Sequence, residues 1–160
     1  MKEIYRKVVV DDVVLIDYEI SNYGNVYSNK INRHLMKSIR KGYLGVRLNL
    51  PNTNFEYNYY RSSKNTIRRW FSVHKLVMAS FRPIDDYPPI SKNDWDVLPT
   101  SAKQIIKDCI IINHIDHNRD NNYVDNLEYV TPKQNSQKSI IFYKDKNLES
   151  SAVFNLSLTY

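Results

Sequence analysis

One block in the last third of the chain constrains its fold most. Ile112, Asn113, His114, Ile115 and Asp116 lead into a stretch rich in asparagine (Asn118, Asn121, Asn122). Asn126, Leu127, Glu128, Tyr129 and Val130 then run straight into Thr131, Pro132, Lys133, Gln134 and Asn135. The two apolar runs are short and bounded by turn formers, which predicts two strands joined by an irregular loop. Thr131 can cap a helix, Pro132 suits its first position because it has no N–H to lose, and Gln134 completes a capping box. Asn135 therefore falls in the first helical turn, immediately after a strand. A tight strand-to-helix corner points its side chain back at the hairpin.

Taken singly these features are ordinary. A histidine beside a strand usually serves structure, and an asparagine cluster is usually turn chemistry. Their order matters more: it brings one imidazole and two carboxamides within reach of a single cation. Hydrolysis of a phosphodiester needs a proton acceptor for water, neutralisation of charge on phosphate and stabilisation of the leaving oxygen. A neutral histidine, with a reference pKa of about 6.5, supplies the first. A divalent cation supplies the other two, and hard cations such as Mg²⁺ accept amide carbonyl oxygens.

Charge points the same way. The 160 residues carry a net +6, with a sequence pI of about 9.3. Between positions 28 and 82 there are twelve basic residues and one acidic residue, Glu56. Such asymmetry attracts polyanions. No apolar run approaches the roughly 18 residues of a membrane span, and the start of the chain has no long apolar signal region. A single cysteine, Cys109, allows no internal disulfide and fits an intracellular setting. Cys109 sits on the apolar approach to a strand and reads as buried. A zinc site from Cys109, His114 and His117 has the wrong spacing.

The first half reads as β. Residues 18–21 and 26–28 flank the turn-rich Asn22, Tyr23, Gly24 and Asn25, which predicts a hairpin. Leu44, Val46, Leu48 and Leu50 alternate with Gly45, Arg47 and Asn49, giving a half-buried strand with Arg47 on the open face. Further strands are expected over 55–60 and 68–73. Val73, Leu76, Val77 and Phe81 then switch to helical spacing, with Ser72 a possible cap. Residues 83–108 are proline-rich and acidic and read as an inserted loop with one short helix after Pro99. The tail, 143–160, has no clear pattern.

Two segments carry a family resemblance. Residues 73–81, then Ile112, Asn113, His114, Ile115 and Asp116, then Asn122, Asp125, Asn126, Leu127, Glu128, Tyr129, Val130, Thr131 and Asn135, resemble an HNH endonuclease of the homing type found in phages, large viruses and introns. Residues 18–28 and 42–48 resemble the small DNA-binding module that often precedes such nucleases. The resemblance implies an α+β fold: a β-rich DNA-binding module over 1–60, then an HNH ββα-metal (His-Me finger) nuclease domain over 61–142. It implies His114 as general base, Asn113 and Asn135 as ligands of one Mg²⁺ or Mn²⁺, and structural roles for Asn126 and His74. Double-stranded DNA would be the partner of a monomer, met by Arg33, Lys37, Arg40, Lys41, Arg47, Arg61, Lys64, Arg68, Arg69 and Arg119. Arg47 contacts phosphate in the simpler reading and reads base edges in the bolder one. Asn113 replaces the aspartate of many relatives, which weakens cation binding or marks a catalytically inactive DNA-binding protein. His117 stands where relatives usually have glycine.

Overall fold

The computed structural model describes residues 2–51 and 66–157. The strand expected over 55–60, together with Arg61 and Lys64, lies outside the described residues. Strands β1 (Tyr5–Val10), β2 (Val13–Ser21), β3 (Val26–Ser28) and β4 (Arg33–His34) form one antiparallel sheet in sequence order. The β2–β3 hairpin matches the sequence reading, with Ile20 opposite Val26 and Gly24 at φ 79° in the turn. The β1–β2 hairpin is not evident from the sequence. Asp11 and Asp12 look like a break in an apolar run, yet both take left-handed φ (48° and 62°) and form a two-residue turn between Val10 and Val13. Aspartate tolerates that region, and such turns match the twist of paired strands.

A second sheet contains β5 (Ser38–Arg40), β6 (Tyr43–Pro51) and β7 (Thr66–Ser72) in that order. Alternation along β6 buries Val46 and Leu48 and leaves Arg47 exposed, as the period-two pattern predicts. Helix α1 (Val73–Phe81) follows β7 directly and buries Val73, Leu76, Val77, Met78 and Phe81. Ser72 occupies its N-cap position, but its side chain makes no capping hydrogen bond. One core joins Val8 and Val10 of β1, Leu15 and Ile20 of β2, Val46 and Leu48 of β6, the apolar face of α1, and Leu127 from beyond residue 110. The expected segments 1–60 and 61–142 therefore share a core.

Residues 83–108 hold α2 (Lys92–Val97), which their proline content hides, and most of α3 (Thr100–Cys109), the helix expected after Pro99. Ser91 caps α2 by accepting from the Asp94 N–H at 3.1 Å, and Trp95 buries its ring beneath the segment. The prolines fall outside both helices, and Pro99 stands between them at the N-cap of α3, where it interrupts neither. Cys109, expected to be buried, is exposed at the end of α3. Strands β8 (Ile111–His114) and β9 (Leu127–Val130) pair antiparallel, and α4 (Pro132–Ser157) follows. Most of the patternless tail thus continues α4. The predicted capping box is present: the Gln134 N–H donates to Thr131 Oγ1 at 3.2 Å, and the Thr131 N–H donates to Gln134 Oε1 at 2.8 Å. Among the described residues, no helix is long and apolar enough to cross a membrane.

Candidate active site

The β8–β9 register sets Asn113 opposite Glu128 and His114 opposite Leu127. Between the strands, the loop is held by side-chain amides. Asn126 accepts the Asp116 N–H at 3.1 Å and donates to Asp116 Oδ1 at 2.9 Å and the Asn121 carbonyl at 2.8 Å. Burial pushes the Asp116 carboxyl up. The Asn121, Asn118 and Asn126 donors around it outweigh that and hold it below the usual carboxylate range.

His114 is buried, and its Nε2 lies 3.2 Å from Asn122 Oδ1. Asn122 Nδ2 donates to the carbonyls of Asp120 (3.1 Å) and Arg119 (3.4 Å), which turns its oxygen toward the imidazole. The proton of neutral His114 therefore sits on Nε2, leaving the Nδ1 lone pair as the basic site. Burial pulls the His114 pKa below its ordinary value, and the Asn122 bond partly opposes this.

Asn113 donates through Nδ2 to Glu128 Oε1 at 2.9 Å, and Lys138 Nζ grips both Glu128 oxygens at 2.6 and 2.7 Å. The Asn113 carbonyl oxygen remains as an acceptor. Asn135 lies in the first turn of α4, and Asn113, His114 and Asn135 all line one cavity of about 860 Å³. No cluster of three or more His, Cys, Asp or Glu side chains able to hold a metal occurs among the described residues. This gives the zinc reading no support. The two amide oxygens suit a hard cation that keeps most of its shell as water and phosphate. Lys41, Arg40, Lys75 and Arg119 line the same cavity.

Residues 106–137 match the family model described as HNH endonuclease. The chain carries the HNH endonuclease motif. An uncharacterized HNH endonuclease, L245, of Acanthamoeba polyphaga mimivirus is 30% identical over 121 residues, covering 74% of this chain. The matched region spans about a quarter (26%) of that relative's length. Among solved structures, the HNH homing endonuclease I-HmuI, studied for DNA binding and cleavage, aligns over 94% of this chain and 67% of its own. The TM-score is 0.54 and the identity 22%. That likeness supports the fold: N-terminal strands ahead of an HNH hairpin and helix.

Around the HNH hairpin, the expected DNA contacts divide. Arg40, Lys41 and Arg119 reach the cavity rim, with the Arg119 guanidinium 4.6 Å above the Tyr43 ring. Arg47 pairs with Trp70 and Asn49 with Arg68, so Arg47 and Arg68 share the open face of the second sheet. Arg69 pairs with buried Leu48 and packs over Phe71, on the opposite face. Lys37 turns inward to Asn25 Oδ1 at 3.0 Å, and burial lowers its pKa. Arg33 is exposed in the first sheet. His117 also lines the cavity, at φ 57°, stacked 4.1 Å from Phe142.

Three contributors escape sequence reasoning. Glu128 is a cross-strand partner visible only once register is known. Tyr43 comes from a distant hairpin within the resembling segment 42–48, and nothing there points to this cavity. Asn122 is hidden among loop asparagines; its one signal is its place eight residues beyond the histidine it contacts.

Proposed function

We propose that this chain is a metal-dependent DNA endonuclease of the homing HNH type, hydrolysing a phosphodiester of double-stranded DNA with His114 as general base. The observation that carries this reading is the convergence of His114, Asn113 and Asn135 on one cavity with a basic rim. His114 Nδ1 accepts the proton of a water held in the cavity, and Asn122 fixes the ring so that this lone pair faces inward. Asn113 and Asn135 would hold one Mg²⁺ or Mn²⁺ through their amide oxygens, and that ion supplies neutralisation of phosphate charge and of the departing oxygen. Asn113 is itself oriented by Glu128 and Lys138, as outer partners commonly orient ligands. Arg40, Lys41 and Arg119 screen the phosphates of the bound strand.

The neutral donor set favours one other reading, a DNA-binding protein that does not cleave. Plasmid nicking with Mg²⁺ or Mn²⁺ separates the two. Loss of the general base in His114→Ala is expected to slow cleavage by about 10²–10⁴-fold, while DNA binding persists. Equal rates in variant and parent would refute the base assignment, and no metal-dependent nicking by the parent would favour the binding protein. Asn135→Ala is expected to need more metal for half-maximal cleavage; an unchanged titration removes it as a ligand.

A further inference from the structure

Among the described residues, a single buried side-chain nitrogen or oxygen has no hydrogen-bond partner: Nδ1 of His74. The residue is 6% exposed and lines the cavity that His114 occupies. Its ring packs edge-on to His114 with centroids 5.3 Å apart, and tilted against Tyr43 at 4.9 Å. Tyr43 in turn carries Arg119 on its face. Packing alone does not call for an imidazole here. Phenylalanine would fill the space and leave no polar atom stranded, so the stranded atom asks for another explanation.

With Nδ1 sealed, Nε2 is the ring nitrogen left to the cavity. A bare buried acceptor is tolerated better than a bare buried N–H, which puts the proton of the neutral ring on Nε2. The ring is neutral at pH 7: burial, then the charges of His114 and Lys75, hold its pKa down to about 4. Its place as second residue of α1 acts in the same direction, because the positive end of a helix disfavours a cation.

We propose that His74 is a second functional imidazole of this site, donating its Nε2 hydrogen to a non-bridging oxygen of the phosphate being cleaved. It acts as a preorganised neutral donor that meets charge as it develops. The inference rests on the nuclease reading for its role in rate, but the contact itself can be read without turnover.

Two variants of the full chain test it. His74→Phe keeps the ring's bulk and removes the donor; His74→Gln places an amide N–H close to the Nε2 position. His74→Phe is expected to melt at or above the parental temperature, to bind duplex DNA as the parent does, and to cleave about 10²-fold more slowly in single turnover. His74→Gln should recover much of that rate. Parental cleavage by His74→Phe would show that the ring only packs and would overturn the proposal. So would a joint loss of melting temperature and rate that glutamine fails to restore. Independently of cleavage, the ¹⁵N resonances of His74 should shift when duplex DNA is added without metal. Unmoved resonances overturn the contact even where cleavage is intact. Failure of the parent to cleave would sink the nuclease reading and leave this spectroscopic outcome to decide the contact.

Discussion

Asn122 has the look of turn chemistry, one amide among several in a polar loop. Its oxygen nonetheless meets the imidazole of His114, and its nitrogen is tied to two backbone carbonyls. That arrangement selects one tautomer of the imidazole proposed as general base. Asn122→Leu keeps the volume and removes the acceptor, so the imidazole is free to adopt the other tautomer. We expect kcat to fall by about 10–100-fold, the usual cost of losing an orienting partner, with KM for DNA little changed. A KM effect without a kcat effect would mean that Asn122 serves the loop and not the base. The residues of the hairpin were legible because they lie within one short stretch, where spacing and element order constrain geometry. The sequence marks His74 as a structural residue and sets Tyr43 in a resembling segment, but only tertiary packing shows that both reach the cavity from other elements.

Elements that alternate cleanly were equally legible. Residues 43–51 gave their strand away through period-two burial, and the capping box of α4 appeared where Thr131 and Gln134 placed it. Helix α2 was not: its burial depends on Trp95, so proline and acid content outweighed any periodicity, whereas α3, which buries none of its side chains, was signalled only by its start after Pro99. The β2–β3 turn shows what sequence hides about element contacts. Gly24 lies against the start of α1 and the β8–β9 loop: a Cβ there would stand 2.5 Å from Val73 Cγ1 and 3.1 Å from Asn122 Cβ. The Val124 N–H donates to the Asn22 carbonyl at 2.9 Å, and Tyr23 stacks on Tyr123 at 4.8 Å. Gly24→Ala meets both a clash and a left-handed φ of 79°. We expect it to lower stability by roughly 1–3 kcal/mol, the usual range for overpacking, in urea unfolding. An unchanged unfolding midpoint would mean that the turn can move away from α1.

For the whole molecule, these basic residues resolve into faces. Arg47 and Arg68 share the open side of the second sheet, while Arg40, Lys41, Lys75 and Arg119 ring the cavity. Arg69 projects from the other side of the same sheet. Affinity for duplex DNA should therefore fall steeply with salt. Arg47→Ala should flatten the slope of log affinity against log salt by about 1, as loss of one phosphate contact does, and Arg69→Ala should leave it alone. Equal effects from the two would show that the face assignment does not describe the bound state.

The union of N-terminal strands and HNH hairpin in one core has a consequence for how such a gene could be pared down or recombined. A fragment starting near residue 65 would encode the motif but lose the wall behind it: the Asn22 carbonyl that holds Val124, the turn that backs Asn122, and the strands that α1 leans on. The N-terminal strands and the hairpin are thus inherited as a unit. Under the proposed nuclease reading, a change of target preference would have to proceed on the sheet's open side, with the seam between the halves left intact.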